Sequence, residues 1–79
     1  MLTIIRTQKD TYIIAENVAT IFKNITGTSI CAEFIGNGDS VKNTVVLGTY
    51  KSIEKAQEVL CDLISHIQTG RSYNMPIDI

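Results

Sequence analysis

Much of what this chain can be is limited by what it lacks: no tryptophan, one proline, one histidine and two cysteines, with seven basic and eight acidic side chains nearly cancelling. Cys31 and Cys61 have no second pair, so neither a disulfide framework nor a zinc ribbon is legible, and two reduced thiols are expected. With His66 as the only histidine, no His or Cys cluster is available for a metal, and no metal or other cofactor is expected. A net charge of −1 argues against a nucleic-acid groove, which needs a concentrated basic surface. No apolar run approaches the roughly 20 residues that cross a bilayer. The start MLTIIRTQKD lacks the basic and long apolar regions of a secretory signal, so a cytoplasmic protein without a membrane partner is expected.

What is present is hydrophobic and patterned. The 79 residues read as one domain spanning 1–79, too short to divide into two halves with cores of their own. A domain of this size hides only about 60 to 65% of the surface its unfolded chain exposes. Such cores are supplemented by disulfides, metals or self-association. With the first two excluded, and 44% of residues hydrophobic, a homo-oligomer, dimer or larger, is expected.

The clearest element is a helix. Ser52 is a good N-cap, and apolar residues recur at Ile53, Ala56, Val59, Leu60, Leu63, Ile64 and Ile67 on one helical face, with Leu60 and Leu63 expected in the core. Gly70 suits the left-handed closing position. Before the helix, Leu2–Arg6, Tyr12–Ala15, Val18–Ile25, Ile30–Ile35 and Val41–Tyr50 read as strands, with a reversing loop at Gly36–Ser40. Val18–Ile25 is ambiguous by periodicity and is assigned to strand on its β-branched and aromatic content. Gly48 marks a bulge or a close backbone approach. Arg71–Met75 forms a last extended piece. Strands first and helix last predict an α+β fold, a small antiparallel sheet of four to five strands with one C-terminal amphipathic helix packed on one face. The second sheet face, carrying Ile35, Val46 and Tyr50, is the expected subunit interface.

Chemistry is sparse. His66 lies at the edge of the apolar stripe and reads as a surface or interface residue. Cys61 lies on the polar side of the helix. Glu54, Glu58 and Asp62, spaced by four, run along one helical face and read as solvated, because hard cations want several converging oxygens. IGNGDS is followed by no Lys-Ser or Lys-Thr pair and opens no helix, so it is a turn and not a phosphate loop. Arg6 near one end, with Arg71, Tyr73 and Asn74 near the other, combines guanidinium forks, a stacking face and an amide, the ingredients of a small anionic or nucleotide-like ligand site. In an oligomer, Arg6 of one chain and Tyr73 of another are expected to meet across subunits.

The opening IIRTQKD, the lead LGTYKSIEKAQEVL into the helix and the ending YNMP resemble a group of short proteins of phages and prophages of Gram-positive bacteria. These carry an I-R-[ST]-Q start, an L-G-x-Y-x-[ST] lead and a Y-x-M-P end; Val18–Asn43 lies outside the likeness. The resemblance implies no enzymatic activity and transfers no functional residue. It implies company among phage proteins that bind and disable something of the host. The expected function is therefore a non-enzymatic binding protein acting in the host cytoplasm, counter-defence by sequestering a nucleotide-like signal or blocking a host defence protein. The alternative is a structural or regulatory protein–protein interaction module.

Overall fold

In the computed structural model, which describes residues 2–34 and 44–77, the chain is an α+β unit with two small sheets sharing one helix. Strands β1 (Ile4–Arg6) and β2 (Tyr12–Ile14) form a hairpin, a single 3-10 turn (Ala15–Asn17) follows, and β3 (Val18–Lys23), β4 (Ser29–Phe34) and β5 (Thr44–Thr49) come next. Helix α1 (Ile53–Gln68) and the short β6 (Tyr73–Asn74) complete it. Ile35, the expected loop Gly36–Ser40 and the start of the expected strand at Val41 lie outside the described residues.

The single antiparallel sheet expected from the strand order is not what forms. One sheet has the order β2-β1-β6 and the other β3-β4-β5. The break comes at the 3-10 turn, where Ala15 N–H donates to Thr3 O at 2.8 Å and Thr3 N–H donates to the Glu16 carboxylate at 3.1 and 3.2 Å. The chain is thereby turned out of the first sheet before β3 begins. β6 joins β1 in parallel, Ile5 opposite Tyr73 and Arg6 opposite Asn74. That direction becomes available because β2 through α1 acts as one long crossover, whereas antiparallel neighbours need only a short turn.

Helix α1 starts where Ser52 Oγ accepts from Lys55 N–H at 3.1 Å. It ends in a Schellman arrangement: Gly70 at φ 70° donates to Ile67 O at 3.1 Å, and Arg71 N–H donates to His66 O at 2.9 Å. Ala56, Val59 and Leu63 are buried, confirming Leu63 as core. Leu60 is only half-buried and flanks the core, and Ile53 and Ile64 are exposed. At 100° per residue Ala56, Val59 and Leu63 lie together on one side of the stripe and Leu60, Ile53 and Ile64 toward its other margin, which stays wet.

The buried cluster joins Ile5, Ile13 and Tyr73 from the first sheet, Ile30, Ala32 and Leu47 from the second, and the three helix residues, with Tyr50 and Met75. Tyr50 is a correction. It was expected beside Val46 on the outer face, yet only 4% of it is exposed, while Val46 is half-exposed. The register supplies the reason: Ile30 pairs with Gly48 but Cys31 pairs with Val46, so Leu47 is an extra residue in β5. A one-residue bulge reverses the face of everything beyond it.

Candidate functional site

The segments IIRTQKD, LGTYKSIEKAQEVL and YNMP are scattered along the chain but meet in space. Gln8 is their junction. Its Oε1 accepts from Thr49 N–H at 2.7 Å, its Nε2 donates to Pro76 O at 2.8 Å and to Thr49 O at 3.3 Å, and its own N–H donates to Leu47 O at 3.0 Å. Tyr50 Oη also donates to Pro76 O, at 3.0 Å, and Met75 N–H donates to Arg6 O at 2.8 Å. Gly48 is the point of closest approach: a Cβ there would lie 2.8 Å from Tyr50 Oη and 3.1 Å from Gln8 Cδ. Gln8, Gly48, Tyr50 and Pro76 are thus a structural clasp that ties the first strand and the last to the second sheet. Both readings of Gly48, bulge and close approach, hold at once.

The four residues singled out for a ligand site fall into three places. Arg6 and Asn74 are register partners and border a shallow recess of about 90 Å³ with Gln8, Asp10 and Ile77. The Arg6 guanidinium is already engaged, donating through Nε and Nη2 to Asp10 Oδ1. That hydrogen bond, then the charge of Asp10, raises the guanidinium above its ordinary value. The turn that presents Asp10 rests on buried Thr7, whose Oγ1 accepts from Lys9 and Thr11 N–H, with Asp10 itself at φ 61°. Arg71 sits beyond the helix end and donates through Nε to Thr69 Oγ1 at 2.9 Å. Tyr73 is buried on the opposite side of β6 from Asn74, because neighbours in a strand point to opposite faces. The fold of the chain brings Arg6 and Asn74 together, and Arg71 and Tyr73 join neither.

Tyr73 instead closes one wall of a cleft of about 470 Å³ along the seam between α1 and β6, lined by Lys55, Glu58, Cys61, Asp62, Ser65 and Pro76 among others. Its hydroxyl donates to Asp62 Oδ2 at 3.1 Å. Burial, then the hydrogen bond and charge of Asp62, push that hydroxyl above the ordinary tyrosine range, so it stays a neutral donor. The His66 ring stands 4.7 Å from the Tyr73 ring, tilted by 56°, and its Nδ1 lies 2.9 Å from Asp62 O. The exposed Cys61 Sγ accepts from Gln57 Nε2 at 3.3 Å. Two carboxylates against one ammonium give this cleft a negative balance. The four-residue spacing of Glu58 and Asp62 was visible in sequence as a helical face; the approach of Tyr73 and Pro76, which makes that face a cleft, was not. Among the described residues no group of three His, Cys, Asp or Glu side chains converges as a metal site, and no helix is long and apolar enough to cross a membrane. No protein-family model matches the chain, and neither a curated protein nor a solved structure matches it.

Proposed function

We propose that this chain is a non-enzymatic binding protein that works by contact with another protein, inserting a basic side chain of that partner into the α1–β6 cleft. One observation carries the reading: Glu58 and Asp62 face the cleft with a single lysine, Lys55, while Arg6 and Arg71 border other surfaces and donate within the fold. A carboxylate pair attracts a guanidinium or ammonium and repels a nucleotide phosphate. In the setting the sequence resemblance suggests, the partner is a host protein that the phage benefits from blocking. Affinity capture from a Gram-positive host, followed by reconstitution with the purified partner, tests this. Glu58→Gln and Asp62→Asn, which leave hydrogen-bond acceptors in place, are expected to weaken the reconstituted complex about tenfold each and to flatten its salt dependence. A purified partner that binds both variants as well as the parent would overturn it.

The recess beside Arg6 and Asn74 supports a second reading, sequestration of a small anionic or nucleotide-like signal. At about 90 Å³ it is smaller than the roughly 300 to 1,000 Å³ of ordinary ligand sites, so this reading needs a second subunit to complete the pocket. Heating the protein with a nucleotide panel decides it. A ligand at 100 times its dissociation constant adds about 2.7 kcal/mol, and Arg6→Ala should remove most of the gain.

A further inference from the structure

We infer that His66 is a pH-sensitive gate on the α1–β6 cleft: its protonation compensates the Asp62 carboxylate and releases a basic side chain held there. The gate presupposes the grip proposed for Glu58 and Asp62 and adds its regulation. His66 is the sole histidine of the chain, and histidine is the side chain whose charge ordinarily changes between about pH 5 and 8. Its ring is fixed on two sides. Nδ1 stands 2.9 Å from Asp62 O, and the ring centre lies 4.7 Å from that of Tyr73. A carbonyl oxygen only accepts, so Nδ1 carries a hydrogen in both charge states and the second proton arrives at Nε2.

Asp62 is the element that ring and cleft share. Its Oδ2 accepts from Tyr73 Oη at 3.1 Å, and its Oδ1 lies 3.9 Å from His66 Nδ1. Burial, with Asp62 beside it, keeps the Tyr73 hydroxyl a neutral donor. The hold on Oδ2 therefore does not change over this pH range, and Oδ1 is the oxygen left for a guest. With the ring neutral, Glu58 and Asp62 outweigh Lys55 by one charge in the cleft. One proton on His66 brings the local balance to zero. Asp62 of α1 and Tyr73 of β6 are the titratable groups in contact with the ring, and Arg71, in the turn beyond it, donates to Thr69 Oγ1. The protonated ring is also favoured by its place in the last turn of α1, since a helix end of that polarity attracts a cation. Because 59% of the Asp62 side chain is exposed, the charge pair acts in a water-like medium. Two unit charges about 4 Å apart in water change an equilibrium about fivefold.

N-acetylarginine amide, whose guanidinium stays charged throughout, is the probe, and the amide signals of 55–65 in nuclear magnetic resonance follow its binding at about pH 5.5 and about pH 8. For the parent chain the dissociation constant is expected to be about fivefold higher at the lower pH. His66→Gln, neutral at both, should lose that step and bind about as the parent does at the higher pH. His66→Lys, charged at both, should bind weakly at both, with circular dichroism confirming that each variant is folded. Comparison of the parent with His66→Gln also subtracts whatever protonation of the cleft carboxylates contributes. A parent with the same affinity at both pH values, or a His66→Gln variant that keeps the parent's step, overturns the gate and leaves the cleft reading standing. A probe that moves none of these signals, with the parent or with His66→Gln at either pH, overturns both.

Discussion

Gln8→Ala is the most direct probe of the clasp. The side-chain amide holds Thr49 N–H at 2.7 Å and Pro76 O at 2.8 Å, joining segments 41 and 68 positions away in sequence. A net hydrogen bond contributes about 0.5 to 1.5 kcal/mol, so losing these two should cost about 1 to 3 kcal/mol. The third contact, at 3.3 Å to Thr49 O, adds little. In a domain of this size about 2 kcal/mol lowers the melting temperature by about 8 to 16 °C. Gln8→Glu separates hydrogen bonding from size. The new carboxylate keeps the acceptor for Thr49 N–H but sets negative charge against two carbonyl oxygens, so at neutral pH it should destabilise at least as much as alanine. The folded environment raises that carboxyl's pKa above its unfolded value. Its relative stability is therefore present when the group is protonated and is lost as pH rises through the folded pKa. Urea melts followed by far-UV circular dichroism at about pH 4 and about pH 7 measure both effects. An alanine variant with the parent midpoint, or a Gln8→Glu variant indifferent to pH, would refute the clasp.

Leu63→Ala, at a fully buried position, should cost about 2 to 5 kcal/mol in urea melts and Leu60→Ala distinctly less, since Leu60 only flanks the core. Gly48→Ala forces its Cβ against Tyr50 Oη and should cost about 1 to 3 kcal/mol. In Tyr50→Phe the hydroxyl is gone, so the two changes together should cost less than their sum in a double-mutant cycle. Thr3 N–H, the first cause of the lowered Glu16 pKa, stabilises the carboxylate. A depressed folded pKa gives stability above the unfolded value that disappears as pH falls, so Glu16→Gln should flatten the acid limb of the urea midpoint against pH. A thiol reagent should modify the exposed Cys61 at once and Cys31 only on unfolding, because burial both covers that thiol and pushes its pKa up.

The amino-acid sequence by itself determined the elements whose causes are local. Ser52 as cap, Gly70 as closing residue and the Ala56, Val59, Leu63 spacing act within one or two helical turns, so the start, end and inward face of α1 were legible without any neighbour. Ile30, Ala32 and Phe34, spaced by two, likewise share the core side of β4 through the local alternation of a strand. Tertiary contacts decided the rest. The division into two sheets depends on Glu16 reaching back to Thr3, the parallel pairing of β6 on Met75 meeting Arg6, and the inward turn of Tyr50 on a bulge at Leu47. The site followed the same rule. Arg71, Tyr73 and Asn74 are neighbours in sequence yet face three ways, while Asp62 and Tyr73, 11 positions apart, share a hydrogen bond. Periodicity and capping are set by a residue's nearest neighbours along the chain. Which strands pair, and which side chains face one cleft, depends on contacts that exist only once the distant segments have packed.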